Sequence, residues 1–235
     1  MRDPLLTPDD LAAIEAAVRA AEAQTSGEIF CEVAEESSAD LLIPLAWAAG
    51  AALLAPAILL IAGIQVPAAD LLRFGAWTGA QSDAAGAAQA ALAGTLVLQG
   101  LLFFGVMLLA SLDPVRRVLT PRSFKRERVR QHAQTQFLAR NLHATRERTG
   151  VLIYVSAREH MAELIADEGI NAKVLAGTWE RAMAALVAGL KRDAPAEGFV
   201  AAIGLCGAVL AEHFPPRLRD NPNELSDHVM MLPNG

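Results

Sequence analysis

The sequence predicts an α/β fold in which a small sheet sandwiched by helices is interrupted by an inserted two-helix transmembrane hairpin. Three observations carry this expectation. Two uncharged apolar blocks span about residues 41–64 and 87–112; a strand-like segment, "GEIFCEVAEES", stands before the first; and a second strand, "GVLIYVSA", follows the second block only after a long basic helix. Of the 235 residues, 53% are hydrophobic and 20% charged, so the apolar content is gathered into blocks rather than spread evenly.

"TPDDLAAIEAAVRAAEAQTSG" reads as an amphipathic helix. Thr7 is placed to cap it, Pro8 suits its first position, and Asp9 and Asp10 suit the positive end of its dipole. Leu11, Ile14, Val18 and Ala21 form one apolar face, and the segment lacks the uncharged run of a secretory signal. In "EIFCEVAEE", Ile29, Cys31 and Val33 alternate with Glu28 and Glu32, which predicts a half-buried strand. Cys31 and Cys206, the two cysteines, each sit in an apolar run and read as buried thiols.

At ~1.5 Å rise per residue, the 24 residues of the first block are long enough for a hydrocarbon core about 30 Å thick. Pro44 and Pro56 are tolerated in such helices, and Gln99 in the second block suits a face turned to its partner. Small residues at a spacing of four, Ala46 with Gly50 and Ala90 with Gly94, allow the two helices to approach closely. The intervening loop carries Arg73 against Asp70 and Asp83, whereas Arg116, Arg117, Arg122, Lys125, Arg126, Arg128 and Arg130 crowd behind the second span. The positive-inside rule therefore puts both termini in the cytoplasm, with Trp47 and Trp77 near the interfaces. The basic run reads as a membrane-surface collar attracted to anionic headgroups. With a net charge of −6, the chain as a whole is not expected to bind nucleic acid.

Thr120 and Pro121 suggest the start of another helix, with Val129, Ala133 and Phe137 on its apolar stripe and Gly150 as its stop. "GVLIYVSA" suits a strand covered on both faces, and "HMAELIADEG" a strand paired to it through "SAREH". Two more helices, "TWERAMAALVAGLKRD" and "AEGFVAAIGLCGAVLAEHF", precede a polar tail over residues 215–235. The expected organisation is one cytoplasmic α/β domain from residues 1–38 and 113–227, with the hairpin at 39–112. Its first and second strands pair in parallel across the insertion.

For chemistry, Asp167 and Glu168 at a strand end are the candidate metal ligands, and Ca²⁺ or Mg²⁺ is the cation such oxygens take; the alternative is a solvated turn in which Gly169 supplies an unusual backbone angle. No cofactor is required by the motifs. His132 and His143 share a helix face but lie too far apart for one metal, and no nucleophile elbow, phosphate-binding loop or zinc-protease helix motif occurs.

The segments "TSGEIFCEV", "HATRERTGVLIYVSAREHMAELIADEGI" and "EGFVAAIGLCGAVLAEHFPP" resemble bacterial membrane proteins of the TPM-domain family, named after thylakoid-lumen phosphatase and photosystem II repair members. The resemblance covers about residues 5–38 and 121–227 and implies a small sheet between helices. It departs from better-known members in having "NLHATRERTG" before the second strand and in matching their Gly-x-Gly-x-Glu segment only at Gly169. It implies a bacterial inner-membrane protein whose domain is a binding or assembly module for membrane-protein partners. The alternative it implies is a divalent-cation-dependent phosphatase.

Overall fold

The expected N-terminal helix opens the structure with its expected cap. In this computed structural model the Thr7 hydroxyl accepts from the Asp10 amide, while the Asp10 carboxylate accepts from the Thr7 amide, at the start of α1 (Pro8–Glu22). Residues 5–35, 41–63, 84–175, 177–217 and 225–232 are described. They form two units, Met1–Ala39 with Arg122–Gly235, and Asp40–Pro121. The inter-span loop, with Asp70, Arg73, Trp77 and Asp83, lies outside the described residues.

The first unit is mixed α/β. Its sheet has the order β3-β2-β1-β4, from β1 (Glu28–Ala34), β2 (Gly150–Ser156), β3 (Met161–Ala166) and β4 (Met230–Leu232). β1 and β2 pair in parallel from Glu28 opposite Gly150 to Ala34 opposite Ser156, and β3 returns antiparallel to β2. The β2–β3 turn is tied back to the first strand: the Ala157 amide donates to the Ala34 carbonyl and the Arg158 amide to that of Glu35.

Alternation places the two sheet faces in two cores. Ile29, Cys31, Val33, Val151, Ile153 and Val155 face α1, α7 (Glu180–Lys191) and α8 (Pro195–His213). Phe30, Ala34, Leu152 and Tyr154 face α5 (Arg122–Ala139), whose Val129, Ala133 and Phe137 recur every fourth residue and are buried. All seven residues of β1 are buried, so the expected half-buried strand is a fully covered one. The reason is non-local: α5 covers the face that alternation assigned to water.

Four other expectations change. The polar tail is not wholly a tail, because β4 extends the sheet in parallel beside β1, pairing Glu32 with Met230 and Ala34 with Leu232. Its approach is fixed by polar contacts: the Leu225 amide donates to Glu28, and the Glu15 carboxylate meets His228. Thr120 closes α4 (Asp113–Leu119), its hydroxyl donating to the Arg116 carbonyl, and does not cap α5. α5 ends well before Gly150, where Asn141 takes a left-handed conformation (φ 56°) and a 3₁₀ turn over Leu142–Ala144 buries Leu142. His143 therefore shares no helix face with His132.

The second unit contains α2 (Leu42–Ile61), α3 (Ala84–Ser111) and α4. Pro44, Ala48 and Ala52 are the buried residues of α2, so the close-packed stripe is offset by two residues from the expected Ala46 and Gly50, nearly on the opposite face; on α3, Gly94 is buried. Three described helices are long and apolar enough to cross a membrane: Leu42–Ile61, Leu92–Ser111 and Pro195–His213. The third is α8, whose Phe199, Ile203, Cys206 and Leu210 are fully buried in the first unit's core. It crosses α7 closely: a Cβ built on Gly189 would lie 2.5 Å from the Gly198 Cα.

That crossing has no room to give, since both partners are backbone. Gly189→Val should lower the urea unfolding midpoint of the detergent-solubilised chain, with a cost of about 1–3 kcal/mol or more. An unchanged midpoint would show that α7 and α8 do not meet there.

Candidate functional site

The collar divides between the units. Arg116 belongs to α4, and the side chain of Arg117 lies outside the described ones. Arg122, Arg126 and Arg130 follow at intervals of four on α5, one exposed stripe, with Lys125 and Arg128 half-buried beside it.

The stripe borders a cleft of about 580 Å³ in the first unit. Three elements build it. α5 supplies Arg122 and Arg126, the β2–β3 turn and β3 supply Glu159, His160 and Glu163, and the last turn of α7 supplies Lys191. Val129, Met161, Ala162 and Val187 provide the apolar part of its lining. β3 is an edge strand whose residues are all half-exposed, which leaves its outer margin open to these side chains. The turn is tight enough that His160 adopts φ 48°, a left-handed conformation uncommon outside glycine. The Ser156 hydroxyl donates to the Glu159 carboxylate and orients it.

Burial pushes the Glu163 carboxyl above the usual carboxylate range; Arg130 and Arg126 oppose this, and Glu127 adds to it. The cleft thus joins fixed cations at its rim to carboxylates along its wall. Such a site can grip an anion through the guanidinium and ammonium groups while accepting hydrogen bonds on the carboxylates.

Asp167 and Glu168 do come together, but on a cation the protein itself supplies. Arg148 contacts Asp167 at 3.5 Å and Glu168 at 2.7 Å, and the Asp167 Oδ1 accepts from the Glu168 amide at the start of α6 (Glu168–Asn171). Among the described residues no group of three or more His, Cys, Asp or Glu is placed to hold a metal ion. Gly169 has no positive φ; its missing side chain admits the Glu147 and Arg148 carbonyls, each 2.5 Å from where a Cβ would stand.

Sequence reasoning missed two acidic groups. Glu32 is fully buried under α5, level with Tyr154 and Glu163 across the sheet, and its Oε2 lies 3.5 Å from the Arg140 Nε. Burial raises its pKa and Arg140 partly offsets that. Glu22 is pushed up to about 8 by burial, while its carboxylate accepts from the Ile29 amide at 2.8 Å. An acidic residue at an alternate strand position was the visible signal for Glu32, but its arginine partner is distant in sequence.

No protein-family model matches this sequence, and no curated protein matches it. Among solved structures, the NMR structure of the BA42 protein from the psychrophilic bacterium Bizionia argentinensis is similar, with a TM-score of 0.55 and 19% identity, covering 98% of each chain. At that identity the likeness is one of fold.

The buried pair generates a pH-dependent expectation. A carboxyl whose folded pKa is raised contributes stability that is fully present below the unfolded value and is lost as pH rises through the folded one. Arg140→Leu raises the folded value of Glu32 further, so the variant should lose about 3–5 kcal/mol at pH 8 and much less at pH 4. Glu32→Leu with Arg140→Leu should recover most of the loss. Urea midpoints at the two pH values check this, and an equal loss at both would contradict it.

Proposed function

We propose that this chain is a bacterial inner-membrane protein in which α2 and α3 span the bilayer as a hairpin, both termini lie in the cytoplasm, and the α/β unit is a TPM-like binding or assembly module for membrane partners. The observation that carries the reading is where the apolar side chains point. Leu53 is 68% exposed, Leu60 82%, Phe104 72% and Leu108 72%, although α2 and α3 pack against each other. Apolar exposure this continuous along two long helices is tolerated in lipid and costly in water.

The third apolar helix is assigned differently. Phe199, Ile203, Cys206 and Leu210 of α8 are buried, and they complete a core with α1, α7 and the sheet. The collar fits the same picture. Only residues 112–121 separate α3 from α5, so its arginines are tethered close to one end of a span, where each is worth ~1 kcal/mol against an anionic surface. A binding role suits the α/β unit because it carries a charged cleft and its paired carboxylates Asp167 and Glu168 are already engaged by Arg148.

An aspartate at the centre of a span costs about 2.5–3.5 kcal/mol on insertion scales. Leu53→Asp and Leu101→Asp should each shift part of the protein from the alkaline-resistant membrane fraction to the soluble or degraded one, while the exposed Leu175→Asp should not. Full resistance to extraction in both span variants would count against the hairpin. Crosslinking and affinity capture from native membranes should return a recurrent membrane-protein partner, and its absence would count against the assembly role.

A further inference from the structure

We propose that the cleft bounded by Arg122, Arg126, His160 and Lys191 binds a phosphorylated polyol: a phosphoryl group on the cations, and neighbouring hydroxyls on Glu159 and Glu163. The inference deepens the membrane-module reading and rests on it only for the source of the ligand, since the cleft lies wholly within the α/β unit.

The argument begins with convergence. Arg122 and Arg126 come from the first turns of α5, His160 from the β2–β3 turn, and Lys191 from the last turn of α7, so three elements separated in sequence aim cationic or titratable groups into one opening. A solvated surface stripe needs no such meeting. The volume, about 580 Å³, lies within the range of small-ligand sites and suits a phosphate with a three- to six-carbon polyol. Among the described residues neither Arg122 nor Lys191 makes an ion pair, so both are available to an incoming anion. Guanidinium groups offer the planar, forked donors that match phosphate oxygens.

The two carboxylates narrow the ligand class. A site for a bare polyanion would exclude them. Glu159 accepts from the Ser156 hydroxyl, and Glu163 stands on β3 near Arg126 and Arg130, so both carboxylates line the cleft beside its cations. Carboxylate acceptors beside phosphate-binding cations are the complement of a molecule that carries hydroxyls next to its phosphate. His160 is kept in its left-handed conformation by a turn whose neighbouring amides at Ala157 and Arg158 are bound to the end of β1, so its ring is carried on a fixed part of the rim.

A phosphorylated polyol can come from a lipid headgroup or from a soluble metabolite of the same chemistry. Both are separable with the full chain in nanodiscs titrated with sn-glycerol 3-phosphate. In phosphatidylcholine discs we expect saturable binding. Replacing part of that lipid with phosphatidylglycerol should weaken the apparent affinity at least fivefold if the headgroup is the ligand, and phosphatidylserine of equal charge should not. Unchanged affinity in phosphatidylglycerol discs would support the site with a soluble ligand. Arg122→Gln with Lys191→Gln should reduce affinity at least tenfold, while Lys125→Gln with Arg128→Gln, which removes equal charge from α5 outside the cleft, should leave it within twofold. No binding in phosphatidylcholine discs, or equal losses in the two double variants, would overturn the proposal. Neither result would bear on membrane spanning, which is read by extraction of the span variants.

Discussion

The parallel pairing of Glu28–Ala34 with Gly150–Ser156 is the constraint on which the rest of the structure depends. Parallel neighbours cannot be joined by a short turn, so the chain that leaves Ala34 must travel back along the sheet before Gly150 can begin. Here that connection contains two long apolar helices as well as α5. Neither piece of the α/β unit could bury its apolar surface without the other: Ile29, Cys31 and Val33 complete a face with Val151, Ile153 and Val155, and α8 from the second piece packs over α1 from the first. The segment between Ala34 and Gly150 is thereby held between two strands that must meet.

What the sequence made legible was local. The α1 cap could be read from Thr7, Pro8 and Asp10 because its hydrogen bonds close within one turn. The β2–β3 hairpin could be read because its turn and both strands are contiguous, and Val129, Ala133 and Phe137 announced the buried face of α5 through their spacing. What stayed hidden was non-local. Met230–Leu232 is too short for periodicity to reveal, and its place beside β1 depends on Glu28 and on α1. Glu32 looked like a solvent-facing residue until α5 was laid across it. The turn after α5 depends on a left-handed conformation at Asn141 that no proline or glycine marks.

The same division runs through the candidate site. The basic run was plain in the sequence, but the two members that line the cleft, Arg122 and Arg126, were indistinguishable from their neighbours. Lys191 separates them, because the end of α7 faces the start of α5 across the margin of β3. Asp167 and Glu168 show the same division: they adjoin in sequence, but Arg148, placed by the turn before β2, contacts both carboxylates. Composition can gather like charges along a chain, and the fold decides which of them share a space.

The central claim is that one folded unit is assembled from two pieces of chain separated by a loop that crosses the bilayer and returns. Compartment-sensitive reporters at Thr78, between the two apolar helices, and at the C-terminus of the full chain test it most directly. The account predicts opposite compartments, with Thr78 outside the cytoplasm and the C-terminus within it; reporters that both answer from the same compartment would contradict it.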